Sequence, residues 1–384
     1  MKYETVIIGG GASALMLAAQ LPKGRAAVIE HNPKPGAKIF ISGGGKCNIT
    51  NEKMGSAFFL AEETFVRYAL EAFDQDDLIA WLKKRGLEVE IRKGSQYFCK
   101  HSAKDIVNLL SKEASKQKLI LSEEVLDVEK RGAYFTVRTD RRSYSAKEVV
   151  VASGGLSFPR LGASDIGYRI AEAFGHTVTR TAPALVGLTL QKEQFFFKEL
   201  AGASTDVVIT VGEHKCEGSL LFAHKGISGP AVLDASLYWE KGTIEIDFMP
   251  GFPLERIKKS KKQLSTILPL PKRITKAFLI QLGIKDRPCY QVDAETYRRL
   301  ETLHRYRLAP AGTFGYSKAE VTKGGIATDE VDERSMMSKR VEGLYFTGEV
   351  LDVTGRLGGY NFQWAFSSAY CCAKHIKGEK CKEG

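Results

Sequence analysis

The chain lacks the features by which several classes of protein are recognised. No apolar run reaches the roughly 18 residues that a membrane-spanning helix requires. The seven cysteines are scattered and form no C-x-x-C pair, which disfavours structural disulfides and a zinc site. An apparent strand begins at Tyr3, which leaves no room for a signal peptide. We therefore expect a cytoplasmic protein with no membrane partner and no metal.

Two catalytic motifs are also missing. Residues 40–51, FISGGGKCNITN, contain the Gly-Lys pair of a nucleotide triphosphate loop. Phe40 lies where that loop needs its first glycine, and Cys47 follows Lys46 where Ser or Thr is required. No G-x-S-x-G nucleophile elbow occurs either. The sequence thus disfavours an ATPase and a serine hydrolase, and its glycines need another explanation.

Acidic residues are missing from one strongly basic segment. The net charge of the chain is +11, yet eight basic residues and no acid lie between residues 256 and 276, so that the rest of the chain carries +3. No aromatic residue is interleaved with the charges of its two lysine clusters, unlike a platform for single-stranded nucleic acid. We interpret the segment as a solvated helical surface rather than a nucleic-acid site. The eight residues are Arg256, Lys258, Lys259, Lys261, Lys262, Lys272, Arg273 and Lys276.

A βαβ unit is present at the N-terminus. The apolar run at residues 3–8 is followed by three glycines, by LMLAAQL at helical spacing and by the apolar run at residues 25–30. In the pattern Gly9-x-Gly11-x-x-Ala14, the first glycine permits a tight turn and the second lets a pyrophosphate approach the backbone. This pattern predicts that phosphates bind at the start of the following helix.

An acid stands where a dinucleotide site needs one. Glu30 lies 21 residues after Gly9, at the end of the second predicted strand, where a carboxylate can bind ribose hydroxyls. A 2′-phosphate would be repelled there, so that NADP is disfavoured in this site. The strand, helix and acid together predict a bound dinucleotide.

Further glycine clusters favour FAD over NAD. They occur at residues 43–45, at 154–155 after a predicted strand and at 358–359 before the last predicted helix, Tyr360–Ile376. An extended FAD meets the backbone at several strand ends, and each close approach favours glycine because no Cβ intervenes. No second G-x-G-x-x-G pattern exists, so a nicotinamide would have to stack directly on the flavin.

The remaining patterns predict a split domain. Alternating runs at 119–152 indicate a β-meander, residues 192–250 are strand-like, 254–308 are helical and basic, and 343–347 form a last buried strand. We expect an α/β fold in which residues 1–191 and 326–384 form an FAD-binding Rossmann-type domain. Residues 192–325 would then be an inserted domain.

Several segments resemble a bacterial flavoprotein family. They are GGGASAL, SGGGKCNITN, VASGGLSFPRLGASDIGY, FAHKGISGPAVL and GLYFTGEVLDVTGRLGGYNFQWAFSS, which together run nearly from end to end. Members are described as NAD(FAD)-utilising dehydrogenases, aminoacetone-oxidase-like or BaiN-type enzymes. The resemblance implies that the inserted domain is β-barrel-like, with a small helical subdomain at about 254–308.

The glycine patterns and the resemblance together give a set of expected FAD-binding residues. In this interpretation the loop from Ser42 lies around the flavin, Val125 offers backbone to adenine, and the turn at Gly358 meets the isoalloxazine. The set comprises Gly9, Gly11, Ala12, Ser13, Ala14, Glu30, Lys38, Ser42, Gly43, Gly44, Gly45, Cys47, Asn48, Val125, Ser153, Gly154, Gly155, Gly348, Glu349, Gly358, Gly359, Tyr360 and Asn361.

The chain departs from the family pattern at Ala14, at Ser153, at Cys99 where Pro is common, and at residues 335–339. The last two departures concern segments that would line substrate, so the resemblance leaves the substrate open. His224 and Cys47 are the candidate catalytic residues, with a structural histidine and a structural thiol as the alternative interpretations.

Three functions agree with these patterns. The first is an FAD-dependent oxidoreductase that transfers a hydride between flavin and a small amine, an enone or NAD(P)H. The second is a flavin-dependent RNA-modifying enzyme whose basic helices bind phosphate. The third is a non-catalytic FAD-binding redox module. We expect the first, with a small-molecule substrate and NAD(P)H as a candidate electron donor.

Overall fold

The computed structural model describes residues 1–258 and 260–381, so that Lys259 of the predicted basic segment lies outside the described residues. The chain forms two compact units. The first comprises residues 1–183 with the residues from 321 onward, and the second comprises residues 184–320. Compact packing does not test independent folding, so the domain boundaries at 192 and 325 stay a prediction. Within the described residues, no helix has the length and apolar character needed to cross a membrane.

The described residues form β-strands and α-helices that are numbered here in chain order. The strands are β1 Lys2–Ile8, β2 Ala26–Glu30, β3 Asn48–Asn51, β4 Phe59–Leu60, β5 Val89–Arg92, β6 Gln96–Cys99, β7 Lys118–Leu121, β8 Val125–Arg131, β9 Tyr134–Thr139, β10 Ser143–Val151, β11 Ala182–Ala184, β12 Leu188–Thr189, β13 Ser204–Val211, β14 His214–Ala223, β15 Gly226–Ser228, β16 Ile244–Asp247, β17 Tyr306–Leu308, β18 Gly312–Thr313, β19 Val321–Lys323, β20 Leu344–Phe346 and β21 Thr354–Gly355. The α-helices are α1 Ala12–Gln20, α2 Ala37–Gly45, α3 Glu63–Ala72, α4 Gln75–Lys83, α5 Ala103–Ala114, α6 Ile166–Ala173, α7 Pro230–Tyr238, α8 Glu255–Lys258, α9 Leu264–Ile267, α10 Lys272–Gln281, α11 Ala294–Glu301 and α12 Tyr360–Ile376.

The first unit is built on a mostly parallel sheet. Its strand order is β7-β2-β1-β10-β9-β8, and β20 also pairs with β10. The register places Ile8 opposite both Ile29 and Val151, and Val151 opposite Phe346. The carboxyl ends of β1, β2, β10 and β20 therefore meet at one edge, where ligands bind in open α/β sheets. The α/β fold class predicted from the sequence is confirmed.

This sheet is buried on both faces. The exposed fraction of Val6, Ile7, Val149 and Val150 is 0 %, as expected for parallel strands covered on both sides. Helix α1 is apolar nearly all round and buried, because it packs against both α5 and α12. The last helix, α12, is also largely interior, and Trp364 donates a hydrogen bond from Nε1 to the carbonyl of Gly348 at 3.1 Å. The final segment of the chain thus completes the core of the first unit.

The second unit combines an antiparallel sheet with short helices. Its strand order is β17-β16-β13-β14-β15-β12-β18, and helix α7 packs against β13 and β14. Aromatic rings fill its core: the centroid of the Phe197 ring lies 5.0 Å from that of Phe222 and 5.9 Å from that of Phe278. Phe248 and Tyr306 join the same cluster. Helices α8 to α11 lie in the chain between β16 and β17 and carry the basic segment.

Two local expectations differ from the structure. The predicted meander begins with β7, which pairs in parallel with β2 and is separate from the antiparallel strands β8, β9 and β10. Residues 192–200, predicted as strand-like, form a 3₁₀ helix whose Phe197 and Leu200 are buried. Runs of alternating apolar residues fit more than one geometry, and tertiary packing decides between them.

A buried polar cluster fixes the return of the chain into the first unit. His176 lies between Glu330, 3.1 Å from its Nδ1, and the Ser338 hydroxyl, 2.7 Å from its Nε2. Glu330 also accepts hydrogen bonds from Arg340 and from the backbone of Thr177. Ser338 is 2 % exposed and its oxygen also accepts two backbone N–H groups, so this Ser-His-Glu arrangement cannot meet a substrate and is structural.

We expect this cluster to make stability depend on acidity. The hydrogen bond from Arg340 and those from Thr177 lower the pKa of Glu330 to about 2. Because the pKa is lower in the folded than in the unfolded chain, the carboxylate stabilises the fold fully above about pH 5 and ceases to do so as the pH falls toward 2. The Glu330→Gln variant should therefore lose about 2 kcal/mol of unfolding free energy at pH 7 and much less at about pH 3, measured by urea unfolding.

The exposed Glu172 of α6 provides the matched control, since its carboxylate forms no ion pair or hydrogen bond among the described residues. Glu172→Gln should change the unfolding free energy by less than about 0.5 kcal/mol at either pH. An equal loss for Glu330→Gln at both pH values would contradict the assigned ionisation.

Candidate functional site

The edge of the parallel sheet gathers four turns of the chain. They follow β1 at Gly9, β2 at Glu30, β10 at Ala152 and β20 at Thr347. Backbone hydrogen bonds join them: the Gly9 N–H donates to Ile29 at 2.9 Å, and the Ala152 N–H donates to Ile8 at 2.9 Å. The sequence-predicted glycines at 9, 11, 154, 155 and 348 are thus brought to one place.

The turn after β1 contains three glycines, which differ in what a Cβ at each position would contact. Gly9 has φ +103°, and a Cβ on it would lie 2.6 Å from the Ala152 carbonyl oxygen. A Cβ on Gly10 would lie 2.9 Å from the Glu30 side chain. Gly11 has φ −81°, and a Cβ there would meet nothing within 4 Å. The protein itself requires the first two glycines, whereas the space over Gly11 is open.

The first turn of α1 packs on the end of β20. The Ser13 hydroxyl donates a hydrogen bond to Oγ1 of Thr347 at 2.8 Å, and both side chains are buried. A Cβ on Gly348 would lie 2.9 Å from the Ser13 Cβ, so this glycine allows the close approach. Ala14 is fully buried, and no side chain caps the helix at Gly11. The helix N-terminus therefore keeps its N–H groups directed at the turn.

Glu30 is held against the glycine turn. It is 7 % exposed, and its Oε2 accepts a hydrogen bond from the Gly10 N–H at 2.6 Å. Its Oε1 accepts one from the Asn32 N–H at 2.8 Å and lies 3.2 Å from Nδ1 of His31. Two backbone donors thus orient the carboxylate, and they explain its position at the end of β2.

An ion pair joins two predicted residues that are 311 positions apart. The Nζ of Lys38 lies 2.7 and 2.9 Å from the carboxylate oxygens of Glu349. Oε1 of Glu349 also accepts a hydrogen bond from the N–H of Thr322 at 2.9 Å. A Cβ on Gly155 would lie 2.6 Å from Oγ1 of Thr322 and 3.1 Å from Oε1 of Glu349. The pair therefore sits against the 154–155 turn, and Thr322 is a member that the sequence did not reveal.

The SGGGK segment interrupts helix α2. Its first residues are helical, Ser42 is extended, and Gly43 and Gly44 are left-handed with φ +56° and +66°. A Cβ on Gly43 would lie 2.7 Å from the Asn48 backbone nitrogen, whereas Cβ atoms on Gly44 and Gly45 would meet nothing within 4 Å. These two exposed glycines leave their backbone free to face another molecule.

Two buried oxygens beside this turn and beside β10 have no hydrogen-bond partner among the described residues. They are Oδ1 of Asn48 and Oγ of Ser153. The amide of Asn48 also donates from Nδ2 to Oε1 of Gln96 at 2.8 Å. Buried polar atoms are normally paired, so that an unpaired one indicates a missing ligand or water.

Cys47 has a thiol neighbour that its sequence position did not indicate. Cys47 and Cys99 are both fully buried, and the Cys99 N–H donates to the carbonyls of Lys46 and Cys47. The Cys99 thiol and burial raise the pKa of the Cys47 thiol well above its ordinary value. A buried, protonated thiol is a poor nucleophile. The geometry favours the structural-thiol interpretation of Cys47.

The last helix begins against strand β3. A Cβ on Gly359 would lie 2.7 Å from the backbone of Thr50, and the Gly358 carbonyl accepts a hydrogen bond from Nδ2 of Asn51 at 3.1 Å. The Asn361 side chain bonds both backbone groups of Gly355, at 2.8 and 2.9 Å. The close approach to Thr50 explains why residue 359 is glycine. Asn51 is a second residue of this site, after Thr322, that the sequence did not indicate.

Two predicted residues lie apart from these contacts. Val125 is the first residue of β8, 7 % exposed and paired with Thr139. His224 is exposed in the turn between β14 and β15 of the second unit, whereas the other predicted residues belong to the first. In the described part of the chain, no cluster of His, Cys, Asp and Glu could hold a metal ion.

Comparison with known proteins agrees with this architecture. Residues 3–375 match the HI0933-like protein Rossmann domain family. The chain is 40 % identical over 393 residues to the "Ribosomal RNA dihydrouridine synthase" of Haemophilus influenzae, covering 97 % of this chain and 98 % of the relative. It is 30 % identical over 402 residues to the "3-dehydro-bile acid delta(4,6)-reductase" of Clostridium scindens, covering 96 % of this chain and 97 % of the relative.

A solved structure shares the fold. FrdA of E. coli quinol fumarate reductase matches with a TM-score of 0.52 at 12 % identity, over 98 % of this chain and 70 % of FrdA. At this identity the likeness concerns the fold alone. The family match and the relatives confirm the resemblance and the FAD cofactor predicted from the sequence. The chain belongs to the HI0933-like Rossmann-domain family, and it is an FAD-dependent oxidoreductase.

Proposed function

We propose that this protein reduces a carbon–carbon double bond conjugated to a carbonyl group, and that its substrate is a uracil base of ribosomal RNA. The observation that carries the proposal is the 40 % identity, over nearly the whole of both chains, to a relative named as a ribosomal RNA dihydrouridine synthase. The sequence patterns favour a small-molecule substrate, with RNA as an alternative. Identity over both units favours the alternative.

The two relatives are named for related reactions. Dihydrouridine is uridine with its C5–C6 double bond saturated, and that bond is conjugated to the C4 carbonyl. A 3-dehydro steroid with 4,6 double bonds presents a conjugated carbonyl as well. Both reductions add a hydride and a proton across an electron-poor double bond. We therefore infer the reaction class from what the two names have in common. We infer the substrate from the Haemophilus influenzae relative, which is the more similar of the two to this chain.

The residues at the sheet edge fit an extended flavin dinucleotide. Three observations support this: the open space over Gly11, the open space over Gly44 and Gly45, and the unpaired buried oxygen of Asn48 beside the latter turn. A dinucleotide would fill the two open spaces and would offer a hydrogen-bond donor to the unpaired oxygen. FAD when bound supplies the hydride.

Within this assignment, each group of residues has a physical task. Gly11 and the N-terminus of α1 bind the pyrophosphate, since helix N–H groups and the dipole favour an anion there. Glu30 orients a ribose, Lys38 and Glu349 position the middle of the cofactor, and the 42–48 segment binds its flavin end. The N-terminal turn of α12 favours negative charge on the reduced flavin.

An amine or a small enone is the second candidate substrate. The relative from Clostridium scindens, named as a bile-acid reductase, favours a small enone at lower identity. NADH or NADPH is the proposed electron donor, since reduction of a double bond consumes a hydride that another compound must supply. An RNA substrate agrees with the cytoplasmic location expected from the sequence.

The cofactor assignment predicts a variant that keeps the fold and loses FAD. In Gly11→Asp, the new Cβ meets no protein atom within 4 Å, and Asp is a favourable residue at a helix N-cap. We expect the unfolding free energy of the apoprotein to change by less than about 1 kcal/mol. The carboxylate would repel the pyrophosphate and fill its space, so that flavin absorbance of the purified protein should fall at least about tenfold.

Gly9→Ala is the matched comparison, since its Cβ would clash with the Ala152 carbonyl. That variant should destabilise the apoprotein by more than about 1 kcal/mol. Full flavin occupancy in Gly11→Asp would refute the assignment of this turn.

The substrate assignment is tested anaerobically. The FAD-loaded protein is mixed with NADPH or NADH and protein-free ribosomal RNA, and nucleosides are analysed by mass spectrometry. We expect uridine that has gained two hydrogen atoms, and none with Gly11→Asp. A parallel reaction offers a conjugated 3-keto steroid. If the steroid is reduced and RNA is not, the reaction class stands and the RNA assignment is wrong.

A further inference from the structure

The positive charge of the protein is concentrated in one segment of the second unit. Residues 254–308, here called the helical segment, carry fourteen Lys and Arg residues against five Asp and Glu. Their net charge of +9 accounts for most of the +11 of the chain. Since the rest of the protein is nearly balanced, its long-range attraction for anions originates here.

Most of the basic side chains that the structure describes in this segment are exposed. Apolar residues such as Leu264, Ile274 and Phe278 are buried in the core of the second unit. Four lysines of the same segment are exposed, namely Lys261, Lys262, Lys272 and Lys276. Among residues 1–258 and 260–381, none of the four has an ion pair with an acid.

Three of the five acids of the helical segment make contacts away from the four lysines. Asp286 accepts hydrogen bonds from the N–H and the hydroxyl of Ser265, at 3.1 and 2.5 Å. Asp293 caps α11 by accepting from the Thr296 N–H at 2.7 Å. Glu295 pairs with the arginines of its own helix. These three acids thus form no ion pair with the four lysines, whose charges remain available to a bound anion.

Helix α10 carries a charge pattern that opposes its own stability. Lys272 and Lys276 lie at positions i and i+4, where like charges repel each other. The first turn has no acid, although the helix dipole favours one there. Ile280 continues the same face one turn further and is 80 % exposed. A bound polyanion would relieve the repulsion on this face.

The fold brings the backbone before an aromatic residue close to the backbone of Lys262. The Cys289 N–H donates to the Lys262 carbonyl at 2.9 Å, and the Leu264 N–H donates to the Arg287 carbonyl at 3.1 Å. The chain at 262–264 thus runs antiparallel along 287–289, and Tyr290 follows directly. Its side chain is 66 % exposed. The sequence alone shows no aromatic residue among the lysines, because Tyr290 is 28 positions away from Lys262.

We propose that the helical segment is an RNA-docking surface: Lys261, Lys262, Lys272 and Lys276 contact phosphates, and Tyr290 stacks on an unpaired base. The proposal rests on the proposed ribosomal-RNA substrate and adds the place where that substrate is held. Lysines beside an exposed aromatic ring are the combination that binds single-stranded nucleic acid. An acidic protein would use the charges and make no use of base stacking.

The lysines are tested by salt dependence. The fourfold variant with Lys261, Lys262, Lys272 and Lys276 each changed to Gln is compared with wild type for binding of protein-free ribosomal RNA at several KCl concentrations. Loss of four phosphate contacts should weaken binding about 10- to 100-fold at about 0.1 M salt and lower the slope of log affinity against log salt by about 3. FAD content and the rate of flavin reduction by dithionite should not change.

A control variant removes the same charge from the first unit. It replaces four exposed lysines with Gln: Lys83, Lys84, Lys104 and Lys112. We expect less than about a threefold loss of affinity, since these lysines contact no phosphate in the proposed arrangement. Equal losses in the two fourfold variants would overturn the proposal and indicate a general charge effect.

Tyr290 is tested by its different signature. Tyr290→Ala should weaken RNA binding about 5- to 100-fold and leave the salt slope unchanged, because stacking is not electrostatic. Tyr290→Phe keeps the ring and should bind like wild type. Wild-type affinity in Tyr290→Ala would overturn the stacking contact.

The outcomes separate this inference from the proposed function. If wild type reduces uridine in ribosomal RNA but the fourfold lysine variant binds RNA with wild-type affinity and salt slope, the docking surface is wrong and the function stands. If wild type neither binds nor reduces ribosomal RNA, the proposed substrate fails and the docking surface fails with it.

Discussion

The contact on which the rest of the site depends is a close approach of two backbone turns. Gly9 follows β1, Ala152 follows β10, and no Cβ would fit between them. Parallel pairing of β1 with both β2 and β10 sets this approach, because it aligns the strand ends in register. From there the positions of the other groups follow: Ser13 reaches Thr347, and β20 brings Glu349 to Lys38.

The glycines of this chain fall into two classes that composition alone does not distinguish. Gly10 and Gly359 are required by the protein, since their Cβ atoms would enter the Glu30 side chain and the Thr50 backbone. Gly11, Gly44 and Gly45 face open space. Gly11 also has an ordinary φ, so neither conformation nor packing accounts for it. Among these glycines, Gly11 therefore indicates a bound group most directly.

Local patterns predicted what depends on local structure. The βαβ unit, the acid at Glu30 and the helix Tyr360–Ile376 follow from spacing within a few turns of chain, and the structure contains each of them. Partners that tertiary structure brings together were not visible, such as Cys99 for Cys47 and Thr322 for Glu349. Strand β7 likewise pairs in parallel with β2, and packing decides this pairing rather than the alternation of apolar and polar residues within β7.

A cofactor site of this kind cannot by itself select the substrate. A uracil ring and an unsaturated keto steroid both present a double bond conjugated to a carbonyl, and the two named relatives are both similar to this chain over nearly their whole length. Discrimination must then come from binding energy at parts of the substrate that do not react. A steroid carries few charges, whereas RNA carries one on every phosphate. A segment that holds +9 of the +11 net charge would attract RNA and would contribute little to binding a steroid. The charge distribution therefore supports RNA over a small enone as the substrate.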